Sequence, residues 1–327
     1  MITLITSASD VDVITLPSTT AKSCLIDNTC KCLVSDIDVV CEGGITETSM
    51  IDTFNGIQNK TSMDTFEVYG NHLITHFPNY LFRNVSFEKF NVFNVKSLST
   101  IEENAFSSSV NTTISLRISG CALNTSRSLF IAVSQLIYVT EVDLSDNQLV
   151  DIPDYAFGAN QHRLQMVLLD RNRIKTLGKY AFKALYSMNL LDLSDNLLEK
   201  LEGNSFSQQS VNDSQYNPIR INLKLNQIAD IQESAFAGLD RPVTLELSFN
   251  NLTQLTAPTF AHLLSYDPSK IIIKGNHVNC VCGLKWVFMN KTISPKLSGP
   301  LRCDDKRYYS SLTDNDFKNC TNDSEFY

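Results

Sequence analysis

Apolar residues along this chain fall into a spacing that returns again and again. Between Val139 and Phe157 they stand at Val139, Val142, Leu144, Leu149, Ile152 and Phe157, with Asn147 placed between Leu144 and Leu149. Positions 142 and 144 lie two apart and share one face of a short strand, while Glu141, Asp143 and Ser145 share the other. After the strand the chain must turn sharply. An asparagine there can use its amide to bond backbone groups that no sheet partner reaches, and stacked turns join such amides into a buried ladder. One unit cannot bury its own apolar face, so the spacing predicts a stack of units.

Aligned on the ladder position, the chain gives Asn71, Val95, Cys121, Asn147, Asn172, Asn196, Asn226, Asn250 and Asn276, at steps of 24 to 30 residues. A second marker keeps the same beat at Phe82, Phe106, Phe130, Phe157, Phe182, Phe206, Phe236 and Phe260, and predicts an aromatic spine on the far side of the coil. Two ladder positions depart from asparagine. Val95 is expected to leave its backbone groups to water or to a distorted turn, at a loss of about 1–3 kcal/mol if the site is buried. Cys121 is milder, because the repeat tolerates cysteine there. Two interruptions stand out: the polar insert Ser207 to Pro218, expected to bulge from the convex side or rim, and Asn124 to Gln135, where the pattern is lost until Leu129 and Phe130.

The unit is one turn of a leucine-rich repeat. The fold class that follows is an α/β solenoid: a leucine-rich repeat horseshoe of about nine repeats, each 24–30 residues, with a parallel concave sheet and disulfide caps. In order, residues 1–23 read as a flexible lead, its start the remnant of a signal peptide. A cysteine-rich N-terminal cap occupies 24–62, of which 42–62 is a poorly patterned bridge. The repeats run over 63–279, a cysteine-rich C-terminal cap over 280–320, and a polar tail over 321–327.

Composition adds the compartment. The net charge is -8 without a run of Lys or Arg, which disfavours a nucleic-acid backbone or an anionic membrane as partner. No apolar stretch approaches the roughly twenty residues of a membrane span. Of nine cysteines, four lie near the start (Cys24, Cys30, Cys32, Cys41) and four near the end (Cys280, Cys282, Cys303, Cys320), as disulfide caps in an oxidising compartment require. Asn-x-Ser/Thr sequons at Asn59, Asn84, Asn111, Asn124, Asn212, Asn251, Asn290, Asn319 and Asn322 agree, and the expected protein is a secreted, extracellular glycoprotein. Within each cap the sequence leaves three pairings open.

Catalytic motifs are missing: the sequence has no Gly-x-Ser-x-Gly elbow, Walker loop, dinucleotide glycine pattern or His-Glu-x-x-His. No catalytic, cofactor-binding or metal-binding residue is therefore assigned. His72 and His76 are read as surface histidines rather than ligands, and the two Cys-x-Cys pairs as disulfide cysteines rather than a soft-metal site. Cys121 reads as an inert, buried thiol. The remaining information lies in outward strand residues, which solenoids use for partners. Those grade from aromatic (Tyr69, Phe93) through acidic (Glu141, Asp143, Asp170, Asp192, beside Met166 and Leu168) to basic (Arg220, Lys224, Lys270, Lys274). Exposed apolar side chains on an open face mark contact sites, so partner binding is assigned to Tyr69, Phe93, Met166 and Leu168, with Glu141 and Asp170 setting charge preference.

Residues 24–320 resemble the extracellular leucine-rich repeat proteins that carry both cysteine flanks, on the strength of Cys-x5-Cys-x-Cys-x8-Cys at the start and Asn276-His-Val-Asn-Cys280-Val-Cys282 running to Trp286 at the end. In that group the first flank cysteine pairs with the third and the second with the fourth. The resemblance implies Cys24–Cys32 and Cys30–Cys41, Cys280–Cys303 and Cys282–Cys320, with Trp286 on a short helix over the last coil. The early turns Phe66-Glu-Val-Tyr-Gly-Asn71 and Ser86-Phe-Glu-Lys-Phe90, followed by Asp151-Ile-Pro-Asp-Tyr-Ala-Phe157, are similar to secreted arthropod proteins of the kind that form the non-catalytic, leucine-rich subunits of Oplophorus-type decapod luciferases. That likeness implies a non-enzymatic chain whose partner is an extracellular protein or a partner subunit. The alternatives are the detached ectodomain of a leucine-rich repeat receptor and, least supported, an enzyme.

Overall fold

The computed structural model describes residues 30–33, 38–158, 160–183, 186–207, 218–280 and 282–320. The expected lead, Cys24 with its Cys32 pairing, most of the 207–218 insert with Asn212, and the tail with Asn322 lie outside the described residues. One sheet of twelve strands carries the fold, and its spatial order is the order of the chain. The strands are β1 (Cys30–Leu33), β2 (Asp38–Glu42), β3 (Thr61–Tyr69), β4 (Val85–Phe93), β5 (Ser115–Ser119), β6 (Glu141–Asp143), β7 (Met166–Leu168), β8 (Leu190–Asp192), β9 (Ile219–Asn222), β10 (Val243–Glu246), β11 (Lys270–Ile272) and β12 (Leu297–Ser298). Only β1 runs antiparallel, against β2. Every later pair is parallel, as a coil that returns to the same edge once per turn requires.

The period-two alternation becomes burial. Val142, Val167 and Leu191 are fully buried at the centres of β6, β7 and β8, while the residues on either side stay partly open. These central strands are three residues long because the asparagine turn begins at once. β3 and β4 are nine residues long and pair along almost their whole length.

Six consecutive ladder residues, Asn147, Asn172, Asn196, Asn226, Asn250 and Asn276, share one hydrogen-bonding scheme. Each amide nitrogen donates to a carbonyl of the preceding coil (Ile118, Leu144, Leu169, Leu193, Leu223 and Leu247, at 2.7–3.0 Å) and to a carbonyl of its own turn. Each amide oxygen accepts from a backbone N–H of the preceding coil, at Leu123, Leu149, Ile174, Leu198, Ile228 and Leu252. Asn71 behaves differently at the start of the array. Its nitrogen reaches back to the carbonyls of Gly43 and Ile45, but its oxygen accepts from Leu73 and Ile74 of its own turn.

At the two departures the ladder changes. Val95 is fully buried, the case in which the expected loss applies. In the next coil the Cys121 thiol takes the slots an amide nitrogen would fill, 4.0 Å from the Val92 carbonyl and 3.4 Å from that of Ser119. Gly120 supports this turn with φ at 65°, where a Cβ would come within 2.6 Å of the Asn94 Oδ1.

Rings form a second longitudinal system. Phe130, Phe157, Phe182, Phe206, Phe236 and Phe260 follow one another with centroids 5.2–6.3 Å apart. At the other end Phe54, Phe66, Phe82, Phe87, Phe90 and Phe106 pack into one cluster, with Phe82 and Phe106 stacked 6.3 Å apart.

Two segments without legible repeats prove ordered. Within 42–62, helix α1 (Glu47–Asn55) starts from a Thr46 capping box shared with Ser49, and buries Met50 and Phe54, the Phe54 ring lying against Phe66 of β3 and Phe87 of β4. Within 124–135, helix α2 (Arg127–Ser134) is capped by the Ser126 hydroxyl, which accepts from the Leu129 N–H at 3.1 Å; it buries Leu129, Phe130, Ala132 and Val133. Helix α3 (Ala257–Ser265) replaces an extended return in the last full coil.

Candidate binding face

The outward strand residues line up in columns fixed by register. Tyr69 stands beside Phe93, and Phe93 beside Ser119. Met166 stands between Glu141 and Leu190, and Leu168 between Asp143 and Asp192. β4 and β7 are three strand spacings apart, about 14 Å. The four apolar residues expected as anchors therefore make two patches on one face: an aromatic pair on β3 and β4, and an aliphatic pair on β7 with carboxylates around it. Tyr69 is exposed, while Phe93, Met166 and Leu168 are half-buried.

Charge on the face is more neutralised than the sequence indicates. Arg117 donates through Nε and Nη2 to both oxygens of Glu141, at 2.9 and 2.8 Å, from the neighbouring strand. Asp192 accepts the Asn222 amide on both oxygens, and its Oδ1 also accepts from the Ser194 backbone N–H and hydroxyl. Asp170, expected to face a partner, is buried instead: only 8 % of its surface is open, and its carboxylate meets the Arg171 guanidinium at 2.5 Å. Burial pushes the Asp170 carboxyl above the ordinary range; Arg171 opposes this, and Asp192 and Asp143 add to it. Arg171 continues to Asp146 at 3.1 Å, so this cation is shared by two carboxylates.

Each turn ends its strand with a residue at positive φ, immediately before the ladder residue. Gly70, Asn94, Gly120, Asp146, Arg171, Asp195, Leu225, Phe249 and Gly275 fill these places. Near the end of the array the face turns basic. Arg220, Thr244 and Lys270 are in register, and Lys224 and Lys274 lie on either side of the Phe249 ring.

The caps hold the ends. Cys30 is bonded to Cys41, Cys280 to Cys303 and Cys282 to Cys320; Cys121 is a free, buried thiol. Helix α4 (Lys285–Phe288) carries Trp286, whose indole N–H donates to the Leu255 carbonyl at 2.9 Å and so ties the cap to the last coil. His76 lies 3.5 Å from the Glu47 carboxylate, and His72 is exposed. Among the described residues no group of three or more His, Cys, Asp or Glu could hold a metal ion. No helix among them is long and apolar enough to cross a membrane.

The described sequon asparagines Asn59, Asn84, Asn111, Asn124, Asn251, Asn290 and Asn319 are all exposed, and none falls within a strand of the main sheet. Two open clefts are also present, the second of them reaching Thr61 and Ser62 at the start of β3 and Ser86 of β4. One is lined by Arg127, Phe130, Asp151 and Tyr155, the other by Lys60, Asn84, Ser107 and Asn111. What sequence reasoning missed was the burial of Asp170 and the rim position of Leu225 and Phe249, for which the positive-φ place before each ladder residue is the readable signal.

Comparison with known proteins places the repeat first. The family model described as Leucine rich repeat matches residues 162–210. Leucine-rich repeats and immunoglobulin-like domains protein 1 of Homo sapiens is 33% identical over 122 residues, which cover 37% of this chain and 10% of that protein. This chain thus matches about a tenth of the length of that relative. The Oplophorus-luciferin 2-monooxygenase non-catalytic subunit of Oplophorus gracilirostris is 22% identical over 320 residues, covering 90% of this chain and 87% of the subunit. Among solved structures, human 5T4 (trophoblast glycoprotein) superposes with a TM-score of 0.51 at 17% identity, covering 89% of this chain and 98% of that one. A chain from the octameric complex of Latrophilin 3, Unc5D and FLRT2 gives 0.52 at 19% identity, with the same coverage. The chain is a leucine-rich repeat solenoid with a parallel concave sheet, and over nearly its whole length it resembles the non-catalytic subunit from Oplophorus.

Proposed function

We propose that this chain is a secreted, non-enzymatic glycoprotein that binds an extracellular protein through the first two thirds of its concave face, as an accessory subunit. The observation that carries this reading is the near full-length similarity to a subunit named as non-catalytic. The surface supports it. Tyr69 with Phe93, and Met166 with Leu168, offer apolar contact area on a face from which every described sequon is absent, so glycans at those positions would crowd the other sides. Cap disulfides suit an oxidising, extracellular setting. Glu141, paired with Arg117 on both oxygens, and Asp143, which accepts from the Ser145 N–H, are the carboxylates that bias the charge of a partner. Asp170 has no part in this, because its carboxylate is already buried and paired.

Affinity capture from the extracellular fluid of the source, with the glycosylated chain as bait, tests the reading. Replacing Phe93 and Met166 by Ala should weaken the captured partner at least about tenfold, since a few buried anchors carry most interface energy. Capture that survives both changes but is lost when charges around Asn212 are altered would move the interface elsewhere.

A further inference from the structure

Within the column of positive-φ residues that closes each strand, two are out of character. Most of the places are filled by Gly, Asn or Asp, which tolerate this backbone, and Arg171 is held there by two carboxylates. Leu225 and Phe249, in consecutive coils, both adopt φ of 58°. A bulky side chain there costs backbone energy, and neither recovers it by burial: Leu225 is 47% and Phe249 42% exposed. They sit side by side, since the Leu225 N–H donates to the Ser248 carbonyl just before Phe249. The next coil leaves room for the ring. Gly275 has no side chain, and a Cβ there would come within 2.6 Å of the Phe249 Cδ1.

Cations surround this pair. The ammonium groups of Lys224 and Lys274 each stand 5.6 Å from the Phe249 centroid, from the coils on either side. Arg220 and Lys270 are exposed in register along the same strands. None of the four forms an ion pair among the described residues. The single carboxylate in β9 to β11, Glu246, is buried and accepts from the Ser248 N–H. In a chain of net charge -8, four unpaired cations collected around two strained, exposed apolar side chains are a local arrangement and not a reflection of composition.

We infer that the rim formed by Leu225 and Phe249, with Lys224, Lys274, Arg220 and Lys270, is a second docking site, and that its occupant is a protein segment carrying Asp or Glu residues around one aliphatic or aromatic anchor. Charge complementarity selects the acidic residues. The apolar pair selects a protein over a sulfated polysaccharide, because a polyanion needs only the cations and gains nothing from Leu225 or Phe249. This site is separate from the aromatic and aliphatic patches proposed above, and it stands or falls independently of them.

The test is a selection of random displayed peptides on the glycosylated full chain, followed by binding of the recovered peptides to L225N, F249N, K224A and K274A. The expected peptides are acidic with one large apolar residue, and they bind L225N and F249N at least about tenfold more weakly. K224A and K274A should weaken them and flatten their salt dependence. The denaturation midpoint of L225N and F249N should hold or rise, because Asn accepts the positive φ that Leu and Phe strain to reach. If either Asn variant fails to fold, G275A serves in its place by displacing the ring. Recovery of no acidic peptide, or of peptides indifferent to Leu225 and Phe249, overturns the inference. So does a sulfated polysaccharide that binds equally well to the wild type and to the Asn variants.

Discussion

The amide nitrogen of Asn172 donates to the carbonyl of Leu144, in the coil before, at 3.0 Å, and to the carbonyl of Leu169 in its own turn at the same distance. One side chain thus holds two coils together. Asn172→Ala and Asn196→Ala should each cost about 1–3 kcal/mol, because the buried Leu149 or Ile174 N–H loses its acceptor and two carbonyls each lose one of their two amide donors. Urea titration reads this directly, and losses below a few tenths of a kcal/mol at both positions would remove the ladder as a source of stability.

Cys121 occupies the same place with a weaker donor. Cys121→Asn should therefore match or exceed the stability of the wild type, since an amide can reach the carbonyls of Val92 and Ser119 that the thiol only approaches. Burial pushes the thiol up to about 11, with hydrogen bonding to the Val95 backbone and the charge of Lys96 acting against it. Alkylation by iodoacetamide at neutral pH should be slow in the native protein and fast after unfolding, and rapid native labelling of Cys121 would contradict the burial.

Acid should weaken the N-terminal coil through Glu47. Burial disfavours its ionised form, but hydrogen bonds from the Thr75 N–H and hydroxyl, and from the His76 N–H, outweigh it and hold the carboxyl at about 2 against an ordinary 4.5. A carboxyl depressed in the folded state stabilises above its unfolded value and loses that contribution as pH falls through the folded one. The stability difference between wild type and Glu47→Gln should be full above pH 4.5 and shrink as pH falls towards 2. Denaturation midpoints taken at a series of pH values check this; a difference that stays constant across that window would show that Glu47 does not titrate this way.

Gly178 marks a close approach between coils. Its N–H donates to the Ile152 carbonyl at 2.7 Å, and a Cβ there would run into the backbone of Pro153 and Asp154. Backbone cannot step aside as a flexible side chain can, so Gly178→Ala should destabilise by about 1–3 kcal/mol. Thermal or urea denaturation of the variant is sufficient to measure it.

The repeat was legible because its two markers are chemically demanding. The turn needs two donor bonds and an acceptor from one short side chain, which an amide supplies, and a large flat ring fills the far side of the coil, so Asn172 and Phe182 could be placed from spacing alone. The coil over 42–62 was hidden for the same reason. It has Ile45, Met50 and Phe54 in its core but no ladder asparagine of its own, the Gly43 and Ile45 carbonyls being served by Asn71 of the next turn. Alternation also misled at Asp170. Period two predicts an open side chain there, but the turn has begun, and Arg171 folds over the carboxylate. No pattern in the sequence distinguishes that pairing from an exposed one. Leu225 and Phe249 lie outside the period-two alternation, because each follows the strand at the positive-φ place before its ladder residue.

Both systems that run lengthwise through the molecule are interrupted at the same level. The amide ladder has Val95 and Cys121 in successive coils, and the rings divide there too, into the cluster ending at Phe106 and the series beginning at Phe130. Across this level the backbone carries the join: β4 and β5 pair over five residues, where the central strands pair over three, and the Ala122 and Asn124 N–H groups donate to the Leu98 and Ser99 carbonyls. The molecule thus changes its means of fastening at one level, from side chains to longer strands, and the seam is closed by the main chain itself.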